Sequence, residues 1–262
     1  MAVDQVVRAQ IAQDLWDAER SASAIGRPSD VYAGLDVVDA YEIQLINVRR
    51  RLGAGASVAG HKVGLASEAM QKMMGVDEPD YGHLLDEMRF FESVPVDSSR
   101  LCFPRVEVEV GFVLGADLPG AGCTNADVVE AVEWVVPAIE LIDSRIRDWE
   151  ITLCDTIADN ASSCGWVLGE GRVPIGEIAV ADVDAVLHRN GEVVAEGNSS
   201  AVLGDPLTAV AWLARKVEGF GVRLRAGDVV LPGTATRAID VVAGDRFVAE
   251  FAGLGSVSLD FI

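Results

Sequence analysis

The chain predicts an α+β fold: a strand-rich body of mixed sheets with a helical section at its N-terminal side. Two observations carry this. Apolar residues recur at helical spacing up to about residue 52, and from residue 58 onward most apolar segments are short, alternating and bounded by turn residues. A third is composition: 262 residues, 50% hydrophobic and 24% charged, form a globular chain long enough to bury a full core. No internal repeat, low-complexity tract or linker interrupts it. The expected division is a helical section over 1–55 and a strand-rich catalytic unit over 56–262, read equally well as one continuous domain.

Taken in order, residues 3–20 place Val3, Val7, Ile11 and Leu15 four apart, with Val6 and Ala18 beside them, which predicts an amphipathic helix. "RPSDVYAGLD" reads as a loop. Asp36 then caps a helix running to about Leu52, with Val37, Val38, Tyr41, Leu45 and Val48 on its apolar side, and "GAGAS" stops it. "VAGHKVGLAS" reads as a buried strand followed by a helical turn from Ser67 to Gly75. "DEPDYGHLLDEM", with Pro79 and Gly82, reads as a polar loop. "PRVEVEVGFVL" is a strand, and a helix capped at Thr124 or Asn125 is predicted to run to Val136, where Pro137 ends it. "AIELID", "GWVLGE", a hairpin turning at Asn190-Gly191, "DVVLPG" and "DRFVAEFAGLGSVSLDF" are strands. One further helix spans Asp205-Pro206 to Gly219.

The formal charge of −20 and pI near 4.4 exclude the basic stripe that a nucleic-acid surface needs. The first twenty residues carry charges every few positions and do not form a signal peptide, and no apolar run reaches membrane-spanning length. Four cysteines without C-x-x-C spacing read as reduced thiols, so a cytoplasmic protein is expected.

The chemistry-bearing positions are few. Glu107 and Glu109 lie two apart on one strand face, roughly 6–7 Å between side-chain origins at ~3.3 Å per residue. Such a pair is more often a solvated face. It can also converge on a hard cation such as Mg²⁺, Ca²⁺ or Mn²⁺. Glu140 sits inside an apolar run, where an unpaired charge is costly and a metal or an arginine would answer it. Asp143 and Arg145 read as a local ion pair. Arginine outnumbers lysine 18 to 3, and of Lys62, Lys72 and Lys216 only Lys62, in "GHKVGL", lacks an ordinary helical setting. It suits holding a carboxylate, polarising a carbonyl or moving a proton. Asp80 is a candidate base or a turn cap. His61 and His83 are more often hydrogen-bonded fillers, and "DNASS" offers Ser162 and Ser163 as hydrogen-bond donors.

With these residues assembled, "GHKVGLASEAMQKMMGVDEPDYGHLLDEM", "PRVEVEVGFVL", "PAIELIDSRIRDWEITLCDTIADNASS" and "VLGDPLTAVAWLARK" resemble the 2-keto-4-pentenoate (2-hydroxypenta-2,4-dienoate) hydratases of the fumarylacetoacetate hydrolase superfamily. The 4-oxalocrotonate decarboxylases are close relatives of that group. The resemblance runs from about residue 5 to the C-terminus. It implies the fumarylacetoacetate hydrolase C-terminal-like fold, sheets rolled into a sandwich-like barrel behind N-terminal helices, and an oligomer. It implies Mg²⁺ or Mn²⁺ held by Glu107, Glu109 and Glu140, catalysis by Lys62 and Asp80, and substrate contacts from Ser162, with Ser163 and His61 as further candidates. The implied activity is hydration of a 2-hydroxydienoate in catabolism of aromatic compounds. Alternatives are 4-oxalocrotonate decarboxylation, hydration of a 2-oxoheptenedioate, and an inactive metal-binding partner subunit. Association with a decarboxylase or a downstream aldolase follows from the same resemblance. "LPGTATRAID" departs from the "TGALGP" of many pentenoate hydratases towards the "GSFTRPV" of dioate hydratases, which leaves the substrate tail open among methyl, longer alkyl and carboxylate.

Overall fold

The computed structural model describes residues 3–67, 70–72 and 75–262. Helix α1 (Gln5–Ser21) is capped by Asp4, whose side chain accepts from the Val7 amide, and it buries Ile11, Leu15 and Ala18. A four-residue helix, α2 (Pro28–Val31), begins on a proline whose missing N–H is no loss there. Helix α3 (Val37–Gly53) starts with a reciprocal Asp36–Asp39 capping box. Asp39, fully buried, also takes the Val3 amide and the Arg8 guanidinium, so one carboxylate ties α1 to α3. The turn expected over Ser67–Gly75 falls partly outside the described residues.

Strands β1 (Val58–Gly64), β2 (Asp80–Leu85), β3 (Pro104–Leu114), β4 (Val132–Asp143), β5 (Ser163–Leu168), β8 (Val229–Leu231) and β9 (Ile239–Asp240) form one sheet in the order β2-β1-β8-β3-β4-β5, with β9 against β3. Only β1 and β8 run parallel, so the sheet is mixed. Strands β6 (Asp184–Arg189), β7 (Glu192–Asn198), β10 (Arg246–Phe251) and β11 (Gly255–Asp260) form a second, antiparallel sheet in the order β11-β10-β6-β7. Its β6–β7 turn uses Asn190 and Gly191 at positive φ, as a two-residue hairpin requires. Helices α4 (Asn125–Ala131), α5 (Leu153–Ala158) and α6 (Pro206–Glu218) follow later in the chain.

The larger sheet is curled. Strands β8 and β3 separate β1 from β4, about 14 Å on a flat sheet at ~4.8 Å per step. Yet Lys62 Nζ on β1 lies 3.4 Å from Glu140 Oε2 on β4. The convex face of β3 carries Val106, Val108, Val110, Phe112 and Leu114 into the main core. Leu84, Ala138, Trp166 and Leu231 fill part of the concave face, and the carboxylates described below occupy the rest.

Besides the short helix α2 inside the expected loop "RPSDVYAGLD", two expectations are corrected. The helix predicted to reach Val136 stops at Ala131, and Val132 begins a twelve-residue strand that passes through Pro137. The β-branched and aromatic run "VEWVV" fits a pleated surface better than a helix. Pro137 is tolerated because its carbonyl accepts from Gly169, so its missing N–H faces that side, beyond the end of β5, and leaves the β3 ladder intact. The "DYGHLL" segment expected as a loop is a strand with every residue buried, antiparallel to β1. Tyr81 stacks on Tyr41 of α3 at 4.3 Å, which puts the strand under the helical layer.

Candidate active site

Strand register brings the acids together. Glu107 on β3 lies directly opposite Glu140 on β4, and Glu109 follows two residues along. One carboxylate oxygen from each falls within 4.8 Å of the others. Like charges opposite one another on a sheet are destabilising unless countered. Here Glu109 and Glu140 are fully buried and Glu107 partly so. Burial raises all three acids: Glu107 to about 7, Glu109 well above its ordinary 4.5, and Glu140 also upward, with the Lys62 ammonium pulling the other way.

The Gly233 amide donates to Glu109 Oε2 at 2.7 Å, fixing its rotamer. Gly233 itself has φ +126°, and a Cβ there would meet the Ala66 methyl at 2.5 Å. Glu109 Oε1 and both Glu140 oxygens are buried without a hydrogen-bond donor among the described residues, Glu140 Oε2 having only the ion-pair approach of Lys62. Three converging carboxylates with orphaned oxygens and no nitrogen or sulfur donor fit a hard divalent cation.

Lys62 is 2% exposed and donates to the Ala161 carbonyl at 3.0 Å. Desolvation alone would push its ammonium down, but Glu140, Glu107, Asp80 and Glu109 outweigh it and hold the pKa above the ordinary lysine value. Asp80 starts β2 opposite Gly64, on the same sheet face as Lys62. Burial raises its carboxyl against the pull of Lys62 and Thr156, and its Oδ1 has no hydrogen-bond partner among the described residues. Gly64 is needed here: a Cβ would stand 2.2 Å from that oxygen.

The "DNAS" turn presents the Ala161 carbonyl by an uncommon backbone. Asn160, Ala161 and Ser162 are three successive residues at positive φ, each costing roughly 1–2 kcal/mol outside glycine. Side chains on either side hold the turn. Asn160 accepts from the His83 amide at 2.8 Å and donates to its carbonyl at 3.0 Å. Arg145 binds Asp159 at 2.6 Å and also reaches the Asp143, Ser163 and Asp159 carbonyls. The expected Asp143–Arg145 ion pair is thus replaced. Arg145 pairs with Asp159, and Asp143 instead accepts from the Cys102 and Phe103 amides.

A cavity of about 180 Å³ opens over this cluster, with Lys62, Asp80, Glu107, Thr156 and Ser162 at its polar end. The Ser162 hydroxyl is buried without a hydrogen-bond partner among the described residues. One candidate does not join it. His61 follows the other pleat of β1 and lies against His83, ring centroids 4.9 Å apart, at a separate cavity beneath the sheet. Ser163, paired with Ile142, stands beside Glu140, where its hydroxyl works to lower that carboxyl, and it also lines a small cavity with Arg145 and Asp159. Residues not singled out from the sequence are Gly233, Thr156, Arg105 and Trp149. Gly233 carries a signal in "LPGT", a glycine closing a strand. Trp149 carries none, because its place depends on two left-handed residues, Asp148 and Trp149 itself.

The chain belongs to the fumarylacetoacetate (FAA) hydrolase C-terminal family, whose pattern matches residues 62–261. More particularly, it is 43% identical over 254 residues to 2-keto-4-pentenoate hydratase of Paraburkholderia xenovorans (strain LB400), spanning 97% of this chain and 94% of the relative. It is 37% identical over 265 residues to 2-oxo-hept-4-ene-1,7-dioate hydratase of Escherichia coli, spanning 99% of each. Among solved structures, 4-oxalocrotonate decarboxylase from Pseudomonas putida G7, complexed with magnesium and adipate, superimposes with a TM-score of 0.95 at 36% identity, covering 99% of both chains.

Proposed function

We propose that this protein is a metal-dependent hydratase that adds water to 2-hydroxypenta-2,4-dienoate or a substituted homologue, giving a 4-hydroxy-2-oxopentanoate-type product in the catabolism of aromatic compounds. The observation that carries the reading is the meeting of three carboxylates from β3 and β4 with Lys62 and Asp80 at the head of one cavity. The hydratases at 43% and 37% identity over nearly the whole chain support it.

Glu107, Glu109 and Glu140 would hold Mg²⁺ or Mn²⁺. Bound there, the ion would supply a Lewis acid that stabilises negative charge on the carboxylate and C2 oxygen of a 2-oxo acid. Lys62 and Asp80 act as a coupled pair in proton transfer and water activation. The dienol gives up its C2 hydroxyl proton and gains one at C5, which yields the conjugated 2-oxo-3-enoate. Water then delivers hydroxide to C4 and a proton to C3. Asp80 Oδ1, buried and of raised pKa, is placed to hold a proton and return it. The Lys62 ammonium keeps that carboxylate oriented, while Ala161 keeps Lys62 oriented. Ser162 Oγ is a donor for the substrate. The same reading takes the protein as a cytoplasmic homo-oligomer, able to associate with a decarboxylase or an aldolase of the same route.

A second reading, 4-oxalocrotonate decarboxylation, is favoured by the whole-chain likeness to the decarboxylase structure. One assay separates the two. Freshly generated 2-hydroxypenta-2,4-dienoate should lose its dienol absorbance in a Mg²⁺- or Mn²⁺-dependent way, without CO₂ release from 4-oxalocrotonate. CO₂ release with no hydration would assign the decarboxylase, and silence with both would leave a metal-binding partner subunit.

A further inference from the structure

The hydratase reading leaves the substrate tail open, and the apolar end of the cavity bears on it. Beyond Glu107 and Glu140, the next pair on the same strand faces is Arg105 and Ile142, directly opposite in register. Both line the cavity, together with Trp149, Ile151 and Ala238. Arg105 is the cavity's second cation after Lys62 among the described residues, so a terminal carboxylate would have to find it.

Its charge is already engaged. Nε donates to Asp240 Oδ1 at 2.7 Å, and the guanidinium lies 4.5 Å over the Trp149 ring. Asp240 reaches this position by strand pairing, as the β9 partner of Arg105. A second anion arriving at Arg105 would meet the Asp240 carboxylate beside it, on a protein whose formal charge is −20.

Trp149 is held from three sides. Arg105 stacks on its ring, its indole N–H donates to the Phe103 carbonyl at 3.1 Å, and its backbone is fixed at φ +57° directly after Asp148 at +57°. Two consecutive non-glycine residues in the left-handed region mark a conformation that local preference opposes. The effect is to turn a large flat ring towards the cavity. A rigid aromatic wall accepts apolar groups up to a fixed length and offers nothing to a carboxylate.

We propose that Trp149, braced by an Arg105 that is ion-paired with Asp240, selects a short uncharged tail on the 2-oxo acid and rejects a terminal carboxylate. This rests on the hydratase reading for the turnover it predicts, but not for the binding it predicts.

The test is calorimetric titration of the full-length protein, loaded with Mg²⁺, with the unreactive saturated acids 2-oxopentanoate, 2-oxooctanoate and 2-oxoheptanedioate. The expected wild-type order is 2-oxopentanoate tightest, with the dioate at least tenfold weaker. Trp149→Ala should reverse the order of the two monoacids, weakening 2-oxopentanoate and tightening 2-oxooctanoate. Trp149→Phe should restore most of the original order. Asp240→Asn, at an exposed carboxylate, should tighten the dioate severalfold more than either monoacid. A wild type that binds the dioate best overturns the proposal. So does a Trp149→Ala variant that weakens all three acids by one common factor, which is what a purely structural residue would do. Absence of dienoate hydration alongside the expected binding order would remove the hydratase reading and leave the tail selection standing.

Discussion

At the scale of single residues, holding the metal and moving protons fall to different side chains, and substitution separates them. Glu109→Gln and Glu140→Gln each remove one of three converging oxygens and one buried negative charge. In chelator Glu109→Gln should melt higher than wild type, because fewer buried like charges face each other. Glu140→Gln should melt lower, because it also strips the buried Lys62 of its ion-pair partner. Both should also lose the stabilisation that added Mg²⁺ gives, which for a ligand at 100 times Kd is about 2.7 kcal/mol. Thermal melts with and without Mg²⁺ check both signs, and an unchanged Mg²⁺ response would remove the carboxylates from the metal site. Lys62→Ala and Asp80→Asn should do the reverse. Turnover should fall by about 10²–10⁴-fold while Mg²⁺ affinity stays nearly intact. Loss of metal binding in those two would sink the division of labour.

At the scale of elements, two clamps hold the site's frame. The first is Arg145, 4% exposed, which satisfies Asp159 and three carbonyls around the strained "DNAS" turn. Arg145→Met would leave Asp159 buried without its counter-charge. A loss of about 3–5 kcal/mol is expected in denaturant unfolding. The Lys62–Ala161 contact would loosen with the turn, so turnover in the folded fraction should fall as well. The second clamp is Asp39. Burial works to raise its carboxyl, but the Val3 amide, the Arg8 guanidinium and the Asp36 amide outweigh it and hold the pKa below its ordinary 3.8. A depressed folded pKa contributes stability that is complete above the unfolded value and lost as pH falls through the folded one. Asp39→Asn should therefore cost about 1–3 kcal/mol at pH 7. The gap from wild type should close below about pH 4, and a gap independent of pH would assign the effect to packing alone.

These elements also mark how far the sequence could be read. The amphipathic helices, the Asp36 cap, the Asn190-Gly191 turn and the alternation of β3 are local signals, and they were legible. Strand β2 was not, because it lies inside "DEPDYGHLLDEM", a polar and turn-rich stretch with Pro79 and Gly82. Its burial comes from Tyr41 above it and β1 beside it, both distant in sequence. Nor was the strand passage of Pro137, which depends on where β5 ends. In the site, Glu107, Glu109, Glu140 and Lys62 stood out as charges in apolar runs. Gly233 and Trp149 contribute a backbone amide and a left-handed turn, and those roles exist only in the folded chain.

At the scale of the whole molecule, the dominant feature is charge: −20 over 262 residues. A field of that sign gathers divalent cations and opposes every anionic substrate, whatever the local pocket offers. Screening acts over about 30 Å at 0.01 M salt and about 10 Å at 0.1 M. At 0.01 M the repulsion spans the molecule, and at 0.1 M only charges near the cavity mouth are still felt. With Mg²⁺ held saturating, kcat/KM for a monoanionic dienoate should rise about two- to threefold from 0.01 to 0.15 M NaCl. The rise should be steeper for a dianion, since its energy in the same field is doubled. Lys62 and any bound cation attract the substrate carboxylate at short range, and salt weakens that attraction, so the two contributions oppose each other. Buried charges are screened much less than exposed ones, and Lys62, Glu109 and Glu140 are buried. The long-range repulsion should therefore be the part that salt removes. Initial rates across a salt series decide it: a fall in kcat/KM would mean that local attraction at the cavity governs substrate capture rather than the charge of the whole.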